Sequence, residues 1–239
     1  MAALTLAVAC HSTTVAASGR SDPASASRHS PSGVEAVAGR PAAPGVGLNP
    51  PSAEVTELVQ WVISSRDNGG MPYLIIDKAN AAVFAFDAAG HLQAAAPVLL
   101  GLARGDRSVA GVGDEKMSAI RPQDRVTPAG RFVSSLARDT HGKEILWVDY
   151  KDAIALHPVV KGTPLERRAE RLQSPSSADN RISYGCINVP PTFYRSFVSP
   201  AFTHTSGIVY ILPETSSGRR SFWSDKVGHG AGSPIPAQP

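Results

Sequence analysis

The sequence predicts a mainly β fold with short flanking helices. Its central part repeats short apolar runs separated by turns, for example residues 73–76, 82–86 and 145–148, and such runs are typical of strands. The turns between neighbouring runs are short, which favours antiparallel pairing. We therefore expect an antiparallel β-sandwich or a cradle-like sheet.

A chain of 239 residues with 42% hydrophobic content is long enough for one sizeable domain. Residues 11–51 are mostly Ser, Ala, Gly and Pro, a composition that buries too little apolar surface to offset the entropy of ordering. We expect residues 1–51 to combine an export segment with a disordered linker. Residues 52–215 are expected to form the folded domain, and residues 216–239 a disordered tail.

The export segment is predicted from residues 2–10, which are apolar and are followed by small-residue patterns typical of signal-peptide cleavage. The usual positive charge is missing, since the first basic residue is Arg20. Cys10 follows Ala-Val-Ala and loosely resembles a lipoprotein attachment site, which predicts a lipid anchor there. Export to the periplasm or cell envelope is the preferred interpretation, and an Ala-rich disordered start is the alternative.

The charge pattern gives little support to nucleic-acid binding. Lys and Arg number 23 against 20 Asp and Glu, and no basic block or basic stripe interrupted by aromatic residues occurs. No apolar run approaches the length of a membrane-spanning helix. The sequence also lacks an HExxH motif or a Cys/His cluster, so no metal and no cofactor are expected.

The first predicted element is a helix that Ser52 can cap, with Val55, Leu58 and Val62 at helical spacing. Residues 73–76, 82–86 and 91–100 then predict a three-stranded β-meander. The polar, Gly-rich residues 101–125 predict a long loop that acts as a lid. The remaining predictions are a turn leading into a strand from residue 127, a hairpin of residues 145–148 and 153–156, helices over residues 164–172 and 191–197, and a closing strand over residues 207–212.

Cys186 is the candidate nucleophile. Only two cysteines occur, and Cys10 lies in the export segment, so Cys186 would be the sole thiol of the mature domain. Gly185 before it lets the chain approach a substrate closely and leaves backbone N–H groups free to point at an oxyanion. A buried structural cysteine is the alternative on this residue alone.

His157 is the candidate base, because it ends an apolar strand and a rigid strand end holds an imidazole well. The other histidines lie in the presumed disordered ends or in polar turns, including His91, His141 and His204. A surface or capping role is the alternative for His157.

The segment Ser183-Tyr184-Gly185-Cys186 resembles the Ser-x-Gly-Cys signature of the L,D-transpeptidases, the YkuD-type domain. The upstream histidine, the Thr-Pro-Ala-Gly-Arg-Phe segment from residue 127 and the opening meander are similar too and occur in the family's order. The resemblance covers residues 72–212. Three positions depart from the family pattern: Pro158 after the histidine, Tyr184 where His is common, and Asn188 where Arg is common.

The resemblance implies a cell-wall enzyme that acts on peptidoglycan tetrapeptide stems through a Cys186 thioester, with His157 as base, and releases D-alanine. It implies an oxyanion hole from the backbone of Gly185, Cys186 and Tyr184. Ser183 would orient the histidine or the loop, and this role rests on the resemblance alone. Arg181 and Asn188 flank the thiol and would hold carboxylates of the stem. A monomer is assumed.

Other classes remain open on the sequence. Water as acceptor would make the protein a carboxypeptidase or endopeptidase. A papain-like order would use His204 as base, and a sortase-like order would add Arg195, although the sortase strand motif is absent. A catalytically inactive wall-binding module is the last alternative.

Overall fold

The computed structural model describes residues 50–228, with side chains described to residue 223. The predictions for the export segment, the Cys10 anchor, nearly all of the linker and the last part of the tail fall outside the described residues. Within them, no helix is long and apolar enough to cross a membrane.

The described residues are mainly β, as predicted, with a few short helices. The strands are β1 Tyr73–Asp77, β2 Ala82–Phe86, β3 Leu92–Pro97, β4 Leu100–Gly101, β5 Gly130–Arg138, β6 Glu144–Asp149, β7 Ile154–Pro158, β8 Arg181–Ser183, β9 Ile187–Val189 and β10 Gly207–Leu212. The α-helices are α1 Ala53–Ser65, α2 Arg168–Gln173, α3 Pro191–Phe193, α4 Ser199–Phe202 and α5 Ser216–Gly228.

Eight strands form one sheet in the order β3-β2-β1-β10-β5-β6-β7-β9, and β4 pairs with β8 in a second, two-stranded sheet. The predicted meander is present, because β1, β2 and β3 pair antiparallel. The large sheet is mixed, since β1 with β10 and β7 with β9 are parallel. Strand β5 joins its two halves: residues 130–134 pair with β10 and residues 135–138 with β6.

The predicted third strand is divided in two. Strand β3 ends at Pro97, which has no N–H for the ladder. Leu99 then exchanges two backbone hydrogen bonds with Asn188, at 2.8 and 2.9 Å, and the chain continues into β4. This crossing brings the end of the meander beside the strand that follows Cys186.

Helix α1 begins at the predicted cap: the Ser52 Oγ accepts a hydrogen bond from the Val55 N–H at 3.3 Å. Its buried face, Val55, Leu58 and Val62, packs on one side of the sheet in a cluster with Tyr73 and Tyr210. The alternate side chains of β1 enter a second and larger core on the other side. Strand β1 is therefore buried on both faces, which explains its unbroken apolar sequence.

The prediction of a helix over residues 164–172 is corrected. The helix over residues 164–172 is broken at Arg167, whose backbone is left-handed with φ 47°. A 3-10 turn, Pro164–Glu166, precedes the break and α2 follows it. Leu165 is 91% exposed, whereas Leu172 is buried.

The predicted disordered tail begins with a helix instead. Thr215 caps α5 by accepting a hydrogen bond from the Gly218 N–H at 2.9 Å, and Phe222 and Trp223 pack against the cluster that α1 forms with the sheet. The Ser and Gly content of this segment suggested disorder, but the segment also carries two adjacent aromatic residues, Phe222 and Trp223. Burial of those rings favours the helix over a disordered chain.

Candidate active site

Cys186 lies in a tight turn, residues 183–186, that connects β8 with β9; we call it the nucleophile turn. Gly185 has φ 134°, and a Cβ there would lie 2.9 Å from the Val126 carbonyl oxygen. Both the backbone conformation and the crowding require glycine. The Ser183 hydroxyl donates to the Cys186 carbonyl at 2.6 Å and accepts from the Gly185 N–H at 3.1 Å. Ser183 therefore stabilises the turn, and among the described residues its hydroxyl makes no hydrogen bond to the histidine.

A neighbouring segment fixes the nucleophile turn from outside. The Thr127 hydroxyl donates to the Gly185 carbonyl at 2.7 Å and accepts from the Gly101 N–H at 2.9 Å. Thr127 is fully buried. The segment that contains it is thus bonded to both the end of β4 and the turn that carries the thiol.

The thiol of Cys186 is partly exposed, and it is the free cysteine of the described residues. Its Sγ contacts the Ala153 carbonyl oxygen at 3.7 Å. Crowding by protein atoms raises the pKa of the thiol, while hydrogen bonds from the N–H groups of Ala155 and of Cys186 itself act in the opposite direction. At neutral pH the sulfur is therefore protonated.

His157 lies at the end of β7 with both ring nitrogens in contact with protein. Its Nδ1 is 2.9 Å from the Pro158 carbonyl oxygen, which can only accept, so Nδ1 carries the proton. Its Nε2 is 3.3 Å from the Asn188 Nδ2 and accepts from that amide. Nε2 is therefore the basic nitrogen.

Asn188 is oriented in turn by Arg168, whose Nη1 donates to the Asn188 Oδ1 at 2.8 Å. This contact directs the amide nitrogen of Asn188 toward the imidazole. The pKa of His157 is lowered mainly by burial, the Pro158 carbonyl opposes that shift, and the positive charge of Arg168 adds to it. The imidazole is thus neutral at neutral pH and able to accept a proton.

The parallel pairing of β7 with β9 sets the relation between thiol and imidazole. His157 is opposite Asn188 and Leu156 is opposite Ile187, so Cys186, one residue earlier, continues this register beside Ala155. Cys186 directly precedes β9, and its Sγ lies beside the turn that leads into β7, at the Ala153 carbonyl. No thiol–imidazole hydrogen bond is present within the described residues.

Arg181 is a correction to the prediction of substrate binding. Its guanidinium is buried, with 6% of the side chain exposed, and its Nη2 is 2.7 Å from Glu214 and 2.8 Å from the Lys78 carbonyl oxygen. Lys78 in turn is fully buried and pairs with Asp106 at 2.8 Å. We call Lys78, Asp106, Arg181 and Glu214 the buried charge cluster. Arg181 stabilises this cluster and is not available to a substrate carboxylate.

Asn188 is likewise placed differently from the prediction. It is 1% exposed and its side chain is engaged by His157 and Arg168, so it positions the base and is not available to a stem carboxylate. The sequence analysis gave Arg168 no role. The left-handed backbone at Arg167, which interrupts the helix just before Arg168, has no signal in the sequence.

The predicted oxyanion hole is only partly compatible with the structure. The N–H of Gly185 is taken by Ser183, which corrects that part of the prediction. The N–H of Cys186 lies near its own sulfur. The backbone of Tyr184 precedes it in the same turn, so Cys186 and Tyr184 are the remaining candidates.

The loop between β4 and β5 packs beside the site. At Gly113 a Cβ would overlap the Lys151 carbonyl oxygen, so the loop touches the turn between β6 and β7. At its far end the guanidinium carbon of Arg125 lies 3.9 Å from the centre of the Tyr184 ring. The loop predicted to be a lid therefore contacts the turn between β6 and β7 at one point and the nucleophile turn at another.

Metal chemistry has no support from the described part of the chain. No group of three or more His, Cys, Asp or Glu side chains there is arranged to hold a metal ion. His91, His141 and His204 are exposed in turns.

No protein-family model and no curated protein sequence matches the chain. Eight chains of solved structures are similar to part of it, and two of them are described here. The first, described as the helical cell shape determining protein Pgp2 from Campylobacter jejuni, has 12% identity and a TM-score of 0.40 over 61% of this chain and 48% of that chain. The second, the catalytic domain of an L,D-transpeptidase from E. faecium, has 16% identity and a TM-score of 0.31 over 59% of this chain and 96% of that chain.

The chain thus spans about half the length of the Campylobacter protein. At these identities and TM-scores, neither match assigns the chain to a family or an activity.

Proposed function

We propose that the chain is a cell-wall L,D-transpeptidase that acts on peptidoglycan tetrapeptide stems, with Cys186 as nucleophile and His157 as base. The observation that supports the proposal is the parallel β7–β9 pair, because it brings the turn with the free thiol of Cys186 beside the strand that carries His157, whose tautomer is set by the Pro158 carbonyl. The Ser-x-Gly-Cys turn and the order of the motifs around it support the same reading.

Acylation begins from a neutral pair, because burial raises the pKa of the Cys186 thiol and lowers that of His157. The Nε2 of His157 accepts the thiol proton as sulfur attacks the carbonyl carbon of the L,D-peptide bond. The Asn188 contact to Nε2 is long, at 3.3 Å, so it is weak enough for the thiol to displace. The C–N bond then breaks, and the imidazolium donates its proton to the departing amine of D-alanine.

Deacylation repeats these steps with a second stem. His157 removes a proton from the acceptor amine, the amine attacks the thioester, and the C–S bond breaks to regenerate the thiol. The N–H groups of Cys186 and Tyr184 would stabilise the oxyanion in both steps. The proposed setting is the periplasm or cell envelope, where the stems are exposed.

Product analysis tests the proposal. The purified chain is incubated with tetrapeptide muropeptides, and products are identified by mass spectrometry. Cross-linked dimers with release of D-alanine support a transpeptidase, whereas tripeptides alone would identify water as the acceptor and make the enzyme a carboxypeptidase. Unchanged tetrapeptides, under conditions where Cys186 is reduced, would contradict both and leave the wall-binding module.

A further inference from the structure

Arg125 has unused hydrogen-bonding capacity beside the nucleophile turn. It is half-buried, its Nε donates to the Ile120 carbonyl at 3.1 Å, and its guanidinium stacks on the Tyr184 ring. Within the described residues, neither terminal nitrogen makes a hydrogen bond or an ion pair. The adjacent carboxylate, Asp124, is engaged by Arg121 at 2.6 Å.

The position of Arg125 relative to the thiol is fixed by the backbone on either side. Val126 and Thr127, the next two residues, contact Gly185 directly, through the close approach of the Val126 carbonyl and the Thr127 hydrogen bond of 2.7 Å. Tyr184, on which Arg125 stacks, is two positions before Cys186 in the same turn. The planar cation is thus held in a defined orientation beside the nucleophile turn, without an ion-pair partner among the described residues.

A guanidinium whose two terminal nitrogens are free is suited to bind a carboxylate through paired hydrogen bonds. Aromatic stacking holds the guanidinium plane in place, so less rotamer entropy is lost when the ligand binds. Arg181, which the sequence suggested for this task, is already paired with Glu214.

We propose that Arg125, stacked on Tyr184, is the subsite for the terminal carboxylate of the acyl donor. This inference rests on the proposed function, because the carboxylate is that of the D-alanine which leaves. That carboxylate is only a few bonds from the carbonyl that Cys186 attacks, so a cation beside the nucleophile turn is at a suitable place. The subsite makes the enzyme select stems that end at the fourth residue.

The test compares a tetrapeptide stem with the same stem carrying a C-terminal amide. The wild-type chain should prefer the acid by about tenfold to a hundredfold in kcat/KM, the range expected for a charge-assisted hydrogen bond. In Arg125→Gln this ratio should fall to near one. Arg107→Gln, which removes an exposed arginine from the same loop, should keep the wild-type ratio.

Two further measurements distinguish loss of the subsite from misfolding of the variant and from failure of the proposed reaction. Arg125→Lys retains the charge but loses the planar pair of donors, so the ratio should fall several-fold. Binding of both peptides to the Cys186→Ala chain, measured by calorimetry, should show the same preference without turnover. That result with no wild-type turnover would support the subsite and contradict the proposed reaction.

A wild-type enzyme that turns over acid and amide equally, or an Arg125→Gln variant that keeps the preference, would overturn the subsite while the reaction stands. If the Cys186→Ala chain binds neither peptide and the wild type turns over neither, both proposals are contradicted.

Discussion

The protonation state of His157 follows from its immediate neighbours. The Pro158 carbonyl fixes the proton on Nδ1, Asn188 contacts Nε2, and Arg168 orients Asn188 while placing a positive charge nearby. Burial and that charge both lower the pKa of the imidazole. The imidazole of His157 therefore stays neutral at more acidic pH than that of an ordinary histidine.

The pH profile of the reaction checks this arrangement. Neutral His157 is the active form and its pKa is lowered, so kcat/KM should fall only below the ordinary histidine value of about 6.5. Arg168→Gln removes one cause of the lowered pKa, and the acid limb should move to higher pH. Arg167→Gln, an exposed neighbour paired with Glu170, is the matched control and should leave the limb in place. If the acid limb does not move in Arg168→Gln, Arg168 does not lower the pKa of His157.

At the level of elements, the loop between β4 and β5 and the nucleophile turn meet through small residues. Gly113 touches the β6–β7 turn at Lys151, and Gly185 touches Val126. Each contact excludes a side chain, so the loop and the strands approach more closely than larger residues would permit. We expect the loop to position the stem peptide and to leave the reactivity of the sulfur unchanged.

Replacing Gly113 tests this division of roles. Gly113→Val should push the loop away from Lys151 and raise KM by about tenfold, the scale of 1.4 kcal/mol in binding. The rate of Cys186 alkylation by iodoacetamide should stay at the wild-type value, because the thiol is carried by the nucleophile turn and its contact with the β6–β7 turn is at the Ala153 carbonyl and not at Lys151. Ala110→Val, at an exposed position of the same loop, serves as control. If the alkylation rate of Gly113→Val changes as much as KM does, the loop is part of the environment of the thiol.

At the scale of the whole described region, the buried charge cluster connects distant parts of the chain. Lys78 follows β1, Asp106 belongs to the long loop, and Arg181 and Glu214 lie at β8 and after β10. The Lys78 Nζ also donates to the carbonyls of Gly105 and Thr127, at 2.5 and 2.8 Å. Lys78 therefore ties the base of the loop, and the segment that fixes the nucleophile turn, to the sheet.

Removing Lys78 should strongly destabilise the protein. Lys78→Ala leaves buried acidic groups and carbonyls without their partner, and breaking a buried pair in this way typically costs about 3–5 kcal/mol. The free energy of unfolding, measured by urea denaturation, should fall by that amount. Lys143→Ala, at an exposed position, should change it by less than about 0.5 kcal/mol. A Lys78→Ala value close to that of Lys143→Ala would contradict a stabilising role for the cluster.

The sequence predicted those parts of the fold that depend on local patterns. Helix α1, the meander, the hairpin of β6 and β7, and β10 follow from apolar periodicity and turn residues. It did not predict the parallel β7–β9 pair, because strand neighbours far apart in sequence leave no local signal.

The candidate site shows the same division. Cys186 and His157 were visible as residue types in a motif, whereas the side-chain partners of Arg181 and Asn188 depend on tertiary contacts with Glu214 and Arg168. The helix over residues 164–172 was predicted from local spacing, whereas the left-handed backbone at Arg167 interrupts it and Leu165 is exposed.

The central claim, a thioester on Cys186 formed with the help of His157, is tested most directly by intact-protein mass spectrometry. The reduced chain is mixed with a carbapenem, which resembles the acyl donor of L,D-transpeptidases, and the covalent adduct is recorded over time. The wild type should gain one adduct, Cys186→Ala none, and His157→Ala should form it at least about a hundredfold more slowly, the scale of general-base catalysis. His204→Ala should match the wild type. An adduct on Cys186→Ala, or full loss of acylation in His204→Ala with His157→Ala unaffected, would contradict the claim.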